Sequence, residues 1–352
     1  MRIAIVTDAW EPQVNGVVRT LQAVRRELVA SGHEVLIIAP NAFLSVPCPS
    51  YPEIRLALAS AGALGRRLRT FGPDAIHLAT EGPLGVAARR WCMRNRLPFT
   101  TAYHTQFPDY IAARTGLPAA WFWRFERWFH RPARAVLAAT PSLRRQLAEQ
   151  GIGPTLPFGR GVDLQSFRAS VPPHAAFAQL PRPIQLYVGR VAVEKNVEAF
   201  LRTRHAGSKV VVGDGPARER LQRQFPDAVF LGALFGDELA AAYAGADVFV
   251  FPSRTDTFGM VLIEALACGL PVAAYPVQGP VDIVTPDVGA LDDDLDVAIT
   301  RALTRDRARC ADYGRSFSWP RAVEQFVEAL ARLDAPAVRR ASTAQRAMPQ
   351  CP

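Results

Sequence analysis

Short apolar runs alternate with stretches of helical periodicity from the first residues onward. Arg2–Thr7 is one such run, and Gly16–Ser31 then spaces Val17, Leu21, Val24 and Leu28 three or four apart, on one helix face. Gly32 closes that helix ahead of the run Glu34–Ala39. Ala75–Leu78, Phe99–Tyr103 and Ala135–Ala139 repeat the theme. After Pro172–Pro183, which holds four prolines, a second series follows: Ile184–Val188, Lys209–Val212, Ala228–Leu231, Asp247–Phe251 and Pro271–Tyr275. Short buried strands alternating with helices predict parallel sheets covered on both faces. The expected fold is therefore α/β, two doubly wound parallel-sheet domains facing across a cleft. Residues 1–171 and 172–335 form the two domains, and the small, polar and basic tail 336–352 is expected to be disordered. In such domains ligands bind beyond the carboxyl ends of the strands, so the chemistry belongs in post-strand loops.

Composition narrows the class. With 49% hydrophobic and 21% charged residues the chain is not a disordered one. Five scattered cysteines (Cys48, Cys92, Cys268, Cys310, Cys351) contain no Cys-x-x-Cys pair, which argues against a disulfide framework or a zinc site and fits a reducing cytosol. No apolar run approaches the roughly 18 residues of a membrane span. Met1–Pro12 does not read as a signal peptide, because Asp8 and Glu11 follow directly on the short run Ile3–Val6. The net charge of +9 is unevenly placed: residues 1–171 hold 21 Arg and 11 acids, net +10, while residues 172–352 hold 20 bases and 21 acids, net −1. A basic first half suits an anionic membrane surface or a nucleic acid.

Several post-strand loops carry candidate chemistry. Asn15-Gly16 opens a helix, so N–H groups and the helix dipole suit a phosphate, with Gly16 permitting close approach; an ordinary turn explains the pair equally well. No Gly-x-Gly-x-x-Gly follows the first strand, which disfavours a nicotinamide dinucleotide. His104, just past Tyr103, either positions a substrate or is structural. The chain has 39 Arg but only two Lys, and Lys195 lies five residues after Arg190 in the loop following Ile184–Val188. Two cations there suit a pyrophosphate leaving group, against the blander reading of a solvated turn. Val212-Gly213-Asp214-Gly215-Pro216 fits any strand-to-helix turn of this fold.

The strongest signal runs from Ser253 to Pro271. A strand ends near Phe251, a helix starts near Phe258, and Gly269 then Pro271 stop it. Asp256 lies at the helix entrance; Glu264, two turns further, is embedded among apolar residues and needs a hydrogen-bonding partner, for which ribose hydroxyls would serve. The competing reading makes Asp256 a cap and Glu264 a salt-bridged helix residue. Leu117–Arg131 packs Trp121, Trp123, Arg124 and Arg127 into a basic aromatic helix that suits either a membrane interface or the core of the first domain.

Asp256–Pro271, with Gly189-Arg190, Glu194-Lys195-Asn196, Gly213–Pro216, Arg160–Asp163 and Asn15-Gly16-Val17, resembles the family 4 retaining glycosyltransferases of GT-B fold over about residues 1–335. Glu81–Gly85 and Tyr103–Thr105 make it similar to bacterial enzymes that glycosylate membrane lipids, such as mannosyl-, glucosyl- or glucuronosyltransferases. The resemblance implies that Arg190 and Lys195 hold the pyrophosphate and that Gly16 lets a phosphate approach. It further implies that Glu264 holds the ribose, and that Asp256, His104 and the backbone of Phe258, Gly259 and Met260 meet the sugar. Family members usually carry Glu where Asp256 stands and Gly where Val17 stands, so the sugar is less defined than the reaction. The implied substrates are a UDP- or GDP-hexose and a hydroxyl of a membrane lipid, with no cofactor.

Such enzymes need no metal, consistent with Asp292–Asp294 being read as a surface loop. The implied mechanism is same-face displacement, with the leaving diphosphate taking the acceptor's proton. The implied location is the cytoplasm, peripheral on the inner face of the cytoplasmic membrane. Three alternatives stand beside this reading: a soluble or polysaccharide acceptor, a sugar-nucleotide epimerase on the same fold, and a basic nucleic-acid-binding protein. Dispersed arginines and the lack of a nucleic-acid module speak against the last.

Overall fold

The computed structural model describes residues 1–333 apart from Val14, 49–50, 105–117 and Thr257, with backbone alone at Cys48 and 51–54. The expected disordered tail 336–352 lies outside the described residues. The chain forms two compact units. Unit 1 is Met1–Gly159 rejoined at Ala322, and unit 2 is Arg160–Arg321. The division falls ahead of the Pro172–Pro183 stretch because the chain already packs with the second sheet's helices from Arg160 on. Gly161 lies so close to Ser318 and Trp319 that a Cβ there would meet the Trp319 nitrogen at 2.2 Å.

Unit 1 is built on a six-stranded sheet of β1 (Arg2–Val6), β2 (Glu34–Ile38), β5 (Ala75–Leu78), β6 (Thr100–Tyr103), β7 (Val136–Ala138) and β8 (Thr155–Pro157), in the order β2-β1-β5-β6-β7-β8. Every pairing in it is parallel. A separate antiparallel hairpin, β3 (Ser45–Cys48) and β4 (Tyr51–Ala57), was not anticipated. Ile3 to Val6 and Ala75 to Leu78 are wholly buried, because helices cover both faces of the sheet. The helix Trp319–Ala329 returns the chain to this unit: Phe326 packs against His77 and Phe158, and Leu333 N–H donates to the Asp74 carbonyl.

Asp8, in the loop after β1, is a structural anchor. Its carboxylate accepts hydrogen bonds from Leu84 N–H at 2.9 Å, Gly85 N–H at 3.3 Å and the Thr80 hydroxyl at 2.9 Å, so it satisfies the start of the helix Pro83–Arg94 from a distant loop. Gly82 makes room for it, since a Cβ there would lie 2.4 Å from the Asp8 carboxyl carbon.

Unit 2 has a six-stranded sheet of β9 (Ile184–Val188), β10 (Ser208–Val212), β11 (Val229–Gly232), β12 (Val248–Phe251), β13 (Val272–Ala274) and β14 (Gly289–Leu291), in the order β11-β10-β9-β12-β13-β14. All its pairings are parallel. The strand order reverses around β9, so the loops after β9, β10 and β12 gather at one switch point. Of the residues singled out above, these loops hold Arg190, Lys195, Gly213–Pro216 and Asp256.

Candidate active site

Backbone packing fixes the loop after β9. Gly213 lies so close to it that a Cβ would stand 1.9 Å from the Gly189 carbonyl oxygen, and one on Gly215 would stand 2.5 Å from that of Val191. Only glycine allows this approach. Val191 N–H donates to the Asp214 carbonyl at 2.9 Å, Ala217 N–H to the Val191 carbonyl at 3.0 Å, and the buried Tyr187 hydroxyl to the Arg190 carbonyl at 2.9 Å. Arg190 itself is exposed.

Five residues on, the short turn Val193–Lys195 ends at Asn196, whose left-handed backbone lets its amide donate to the Pro252 carbonyl at 3.2 Å. That bond ties the loop after β9 to the loop after β12. Lys195 Nζ then lies 2.7 and 2.9 Å from the two oxygens of Asp256. Both side chains are roughly a quarter exposed. Two residues picked from separate loops thus form one ion pair.

The helix Met260–Ala267 starts two residues later than expected, at Met260, because Gly259 is its cap with φ +83°. Gly259 offers no side-chain acceptor to the first turn. Phe258 is buried, and the Arg160 guanidinium lies 6.0 Å from its ring centre. Arg160 is itself buried, which pulls its guanidinium down to about 9. Its motif was noted in the sequence, but nothing there signalled that the side chain is inside. Glu264 is 2% exposed, and the hydrogen-bonding partner its burial demands is the Tyr243 hydroxyl, donating at 3.1 Å.

In unit 1 the helix Gly16–Ala30 begins differently from the expectation. The Asn15 side chain accepts from the N–H groups of both Val17 and Val18 at 3.0 Å, so these first-turn donors are taken by the protein. Gly16 itself has no heavy atom within 4 Å of where its Cβ would be. Among the described residues, none calls for glycine there on steric grounds. His104 follows β6, partly buried, with its ring edge-on to Phe158 at 6.3 Å.

The aromatic helix Ala119–His130 divides the membrane-side candidates. Trp123 is 5% exposed and stacks on Tyr103, so it belongs to the core and is removed from any membrane surface. Trp121, Phe125 and Trp128 are the exposed aromatics, interleaved with the exposed Arg124 and Arg127. Helical spacing separates the two sets. Positions 121, 125 and 128 share one face, whereas 123, 126, 129 and 130 point inward.

That inward face carries an arrangement the sequence reading missed. His130 Nε2 lies 3.3 Å from Glu81 Oε1 and 3.4 Å from Glu126 Oε2, and His130 Nδ1 lies 2.8 Å from the Thr101 hydroxyl. The Glu-x-x-x-His spacing of Glu126 and His130 was its only trace in the sequence, since Glu81 arrives from the loop after β5. Burial opposes the charge on His130, but the facing Glu126 and Glu81 carboxylates, as acceptors and as negative charges, outweigh it and hold the imidazole up at about 8. Burial, with the nearby Glu81 charge, pushes Glu126 up to about 7.

The chain matches the model of Glycosyltransferase Family 4 over residues 14–166 and that of Glycosyl transferases group 1 over residues 182–305. A GDP-mannose-dependent alpha-mannosyltransferase of Mycobacterium tuberculosis is 36% identical over 358 residues, covering 91% of this chain and 93% of the relative. A GDP-mannose-dependent alpha-(1-6)-phosphatidylinositol dimannoside mannosyltransferase of the same species is 28% identical, covering 94% of this chain and 96% of the relative. Among solved structures, sucrose-phosphate synthase from Thermosynechococcus elongatus superposes with a TM-score of 0.70 at 24% identity, covering 98% of both chains. The fold is GT-B, as expected. The chain belongs to glycosyltransferase family 4 and is a glycosyltransferase. Among the described residues no helix is long and apolar enough to cross a membrane.

The buried His130 arrangement carries a pH dependence. A His130 value above its ordinary 6.5 means stabilisation that is complete below that pH and lost as pH rises through about 8. A Glu126 value above its ordinary 4.5 has the same sign, because the folded state holds that proton more tightly. The melting temperature should therefore fall between about pH 4.5 and 8, and Glu126→Gln should flatten the fall. An equal fall in the variant would contradict the assignment.

Proposed function

We propose that this glycosyltransferase moves a hexose, with retention, from a nucleoside-diphosphate sugar to a hydroxyl of a membrane lipid. The observation that carries the reading is the Lys195–Asp256 pair at the switch point of unit 2, with Asp256 three residues before the Gly259 cap and Lys195 five residues after Arg190. A partly exposed pair of this kind contributes at most about 1 kcal/mol to stability, so it opens readily. An incoming diphosphate competes with Asp256 for Lys195, and Asp256 is then released toward sugar hydroxyls. Arg190 supplies the second positive charge, and the first turn of the helix that Gly259 opens, with no side chain from its cap, offers further donors.

Charge that builds on the leaving diphosphate is thereby neutralised by the protein's own cations, without a divalent ion. The acceptor hydroxyl attacks the anomeric carbon on the face the diphosphate leaves. The bond from the anomeric carbon to the acceptor oxygen forms as the bond to the diphosphate oxygen breaks, and that diphosphate oxygen takes the acceptor's proton. Glu264, oriented by Tyr243, is assigned to the ribose, and His104 to the transferred sugar. Gly16 is assigned to a phosphate. Unit 2 is accordingly the donor unit and unit 1 the acceptor unit.

The names of the two mycobacterial relatives make GDP-mannose the first donor to test, and the second name supports a lipid acceptor. The exposed Trp121, Arg124, Phe125, Arg127 and Trp128 give unit 1 a surface suited to an anionic bilayer. The enzyme is placed in the cytoplasm, resting on the inner face of the membrane.

Purified protein with GDP- and UDP-sugars and extracted lipid should yield a glycolipid detectable by mass spectrometry. Lys195→Ala and Arg190→Ala should each lower turnover by ~10²-fold or more while leaving the melting temperature nearly unchanged. Wild-type turnover in both folded variants would remove the diphosphate role. In a sedimentation assay the protein should bind vesicles containing anionic lipid and release partly at high salt, each basic residue contributing about 1 kcal/mol. Replacing Trp121, Arg124 and Arg127 with serine should abolish that binding. Equal binding to neutral and anionic vesicles would contradict the surface assignment.

A further inference from the structure

His130 lies buried where three elements of unit 1 meet. Glu81 comes from the loop after β5, Glu126 and His130 from the helix Ala119–His130, and Thr101 from β6. His130 Nε2 is 3.3 Å from Glu81 Oε1 and 3.4 Å from Glu126 Oε2. One nitrogen or oxygen from each of Glu81, Glu126 and His130 falls within 4.8 Å of the others. On the far side of the ring, His130 Nδ1 is 2.8 Å from the Thr101 hydroxyl. A proton on Nδ1, donated to that hydroxyl, leaves the Nε2 lone pair aimed between the two carboxylates. Metal-bound histidines are held in this way, by a partner on the other ring nitrogen.

A buried salt bridge is the simpler account of such a set, and the distances do not favour it. Charge-assisted N–H···O bonds are ~2.7–2.9 Å long. Here two oxygens face one nitrogen at longer and nearly equal range, and neither Nε2 nor Glu126 Oε2 makes an aligned hydrogen bond. A single Nε2–H points along one line and cannot serve both. Ligands at ~2.0–2.2 Å around a tetrahedral zinc ion lie ~3.3–3.5 Å apart, which is the spacing found about Nε2. The right angles of a magnesium site would bring them to ~3 Å. Imidazole nitrogen with carboxylate oxygen also suits zinc better than magnesium. Charge balance points the same way. Two carboxylates and an imidazolium leave a net negative charge in the core, whereas two carboxylates, a neutral imidazole and a divalent cation leave none.

We infer that Glu81, Glu126 and His130 bind one divalent transition-metal cation of the zinc class, a clasp fastening the loop after β5 to the helix Ala119–His130. The inference does not depend on the donor chemistry proposed for unit 2. Among the described residues no fourth such side chain joins the set, so a water completes the coordination. Glu81 gives the ion its way in: its side chain is 11% exposed, and it lines a groove of about 710 Å³ beside the helix Pro83–Arg94. Thr101 is a positioning residue that fixes the ring. A bound cation displaces the protons the cluster otherwise holds, so the pH dependence described above is that of the metal-free protein. The scattered cysteines argue against a thiolate zinc site and say nothing of one built from carboxylates and imidazole.

The test uses full-length protein, stripped with a chelator and dialysed, then titrated with zinc chloride by calorimetry and with cobalt(II) by visible absorption. Wild type should take up about one equivalent of zinc per chain, and its melting temperature should rise. Its cobalt complex should show the intense visible bands of a four-coordinate site without thiolate charge transfer. Glu81→Gln, at the partly exposed end of the set, should stay folded, bind zinc ~10-fold or more weakly and lose the zinc-induced rise in melting temperature. Thr101→Val should weaken zinc binding ~10-fold and keep the cobalt spectrum, as expected for a group that acts through His130. Failure of wild type to bind zinc overturns the inference, as does equal affinity in wild type and folded Glu81→Gln. A cobalt spectrum with thiolate bands also overturns it, since the ion would then sit on cysteine. Hexose transfer is scored separately and bears only on the function proposed above.

Discussion

Two backbones meet at Gly213 with no side chain between them. The Gly189 carbonyl occupies the space that a Cβ on Gly213 would need, at 1.9 Å, and Val191 does the same to Gly215. No rotamer change relieves such a contact, since the obstructing atoms are backbone. The loop after β9 is thereby held to the loop after β10, and its own carbonyl and N–H groups are spent on Tyr187, Asp214 and Ala217. Arg190 and Lys195 are long, flexible cations, but they leave from a rigid frame. Asn196 extends that frame to Pro252 and so to Asp256. A leaving group that carries two negative charges is best met by cations that need little rearrangement. Unit 1 obeys a comparable rule by other means, with one buried carboxylate, Asp8, joining the loop after β1 to the start of the next helix.

Electrostatics divides the two units by kind. Unit 2 is nearly neutral over its length, and its decisive pair, Lys195 and Asp256, is partly exposed and exchangeable. In unit 1 the decisive group, His130, is fully buried between two glutamates and cannot exchange with solvent. The first arrangement can give way to a ligand's charge; the second stays in place and is filled, by protons or by a cation. Glu81 is the member of the second set that reaches the groove.

The strands of both sheets were largely legible because buried parallel strands are continuous apolar runs. Ile184–Val188 and Ala75–Leu78 match to the residue. Three elements escaped for physical reasons. The hairpin β3–β4 is interrupted by Pro47, Pro49 and Pro52; β8 is short and mostly exposed; and β14 is three residues with no β-branched side chain. The post-strand loops drew attention to Lys195 and Asp256, but not to their direct contact, which depends on the Asn196 turn. Trp123 read like its neighbours because composition does not say which helix face is inside. Glu81 and His130 are 49 positions apart, and no local pattern joins them. The division between units was likewise hidden, since Gly161 reaches Trp319 across most of unit 2's sequence.

The backbone frame is the claim to test first. Calorimetric titration of GDP into wild type and Gly213→Ala, at a temperature where both show the same far-ultraviolet circular dichroism, isolates it. A methyl group there must push the Gly189–Lys195 loop away and misplace both cations, so GDP affinity should fall by ~10-fold or more in a protein that remains folded. GDP affinity equal to wild type in folded Gly213→Ala would contradict the account.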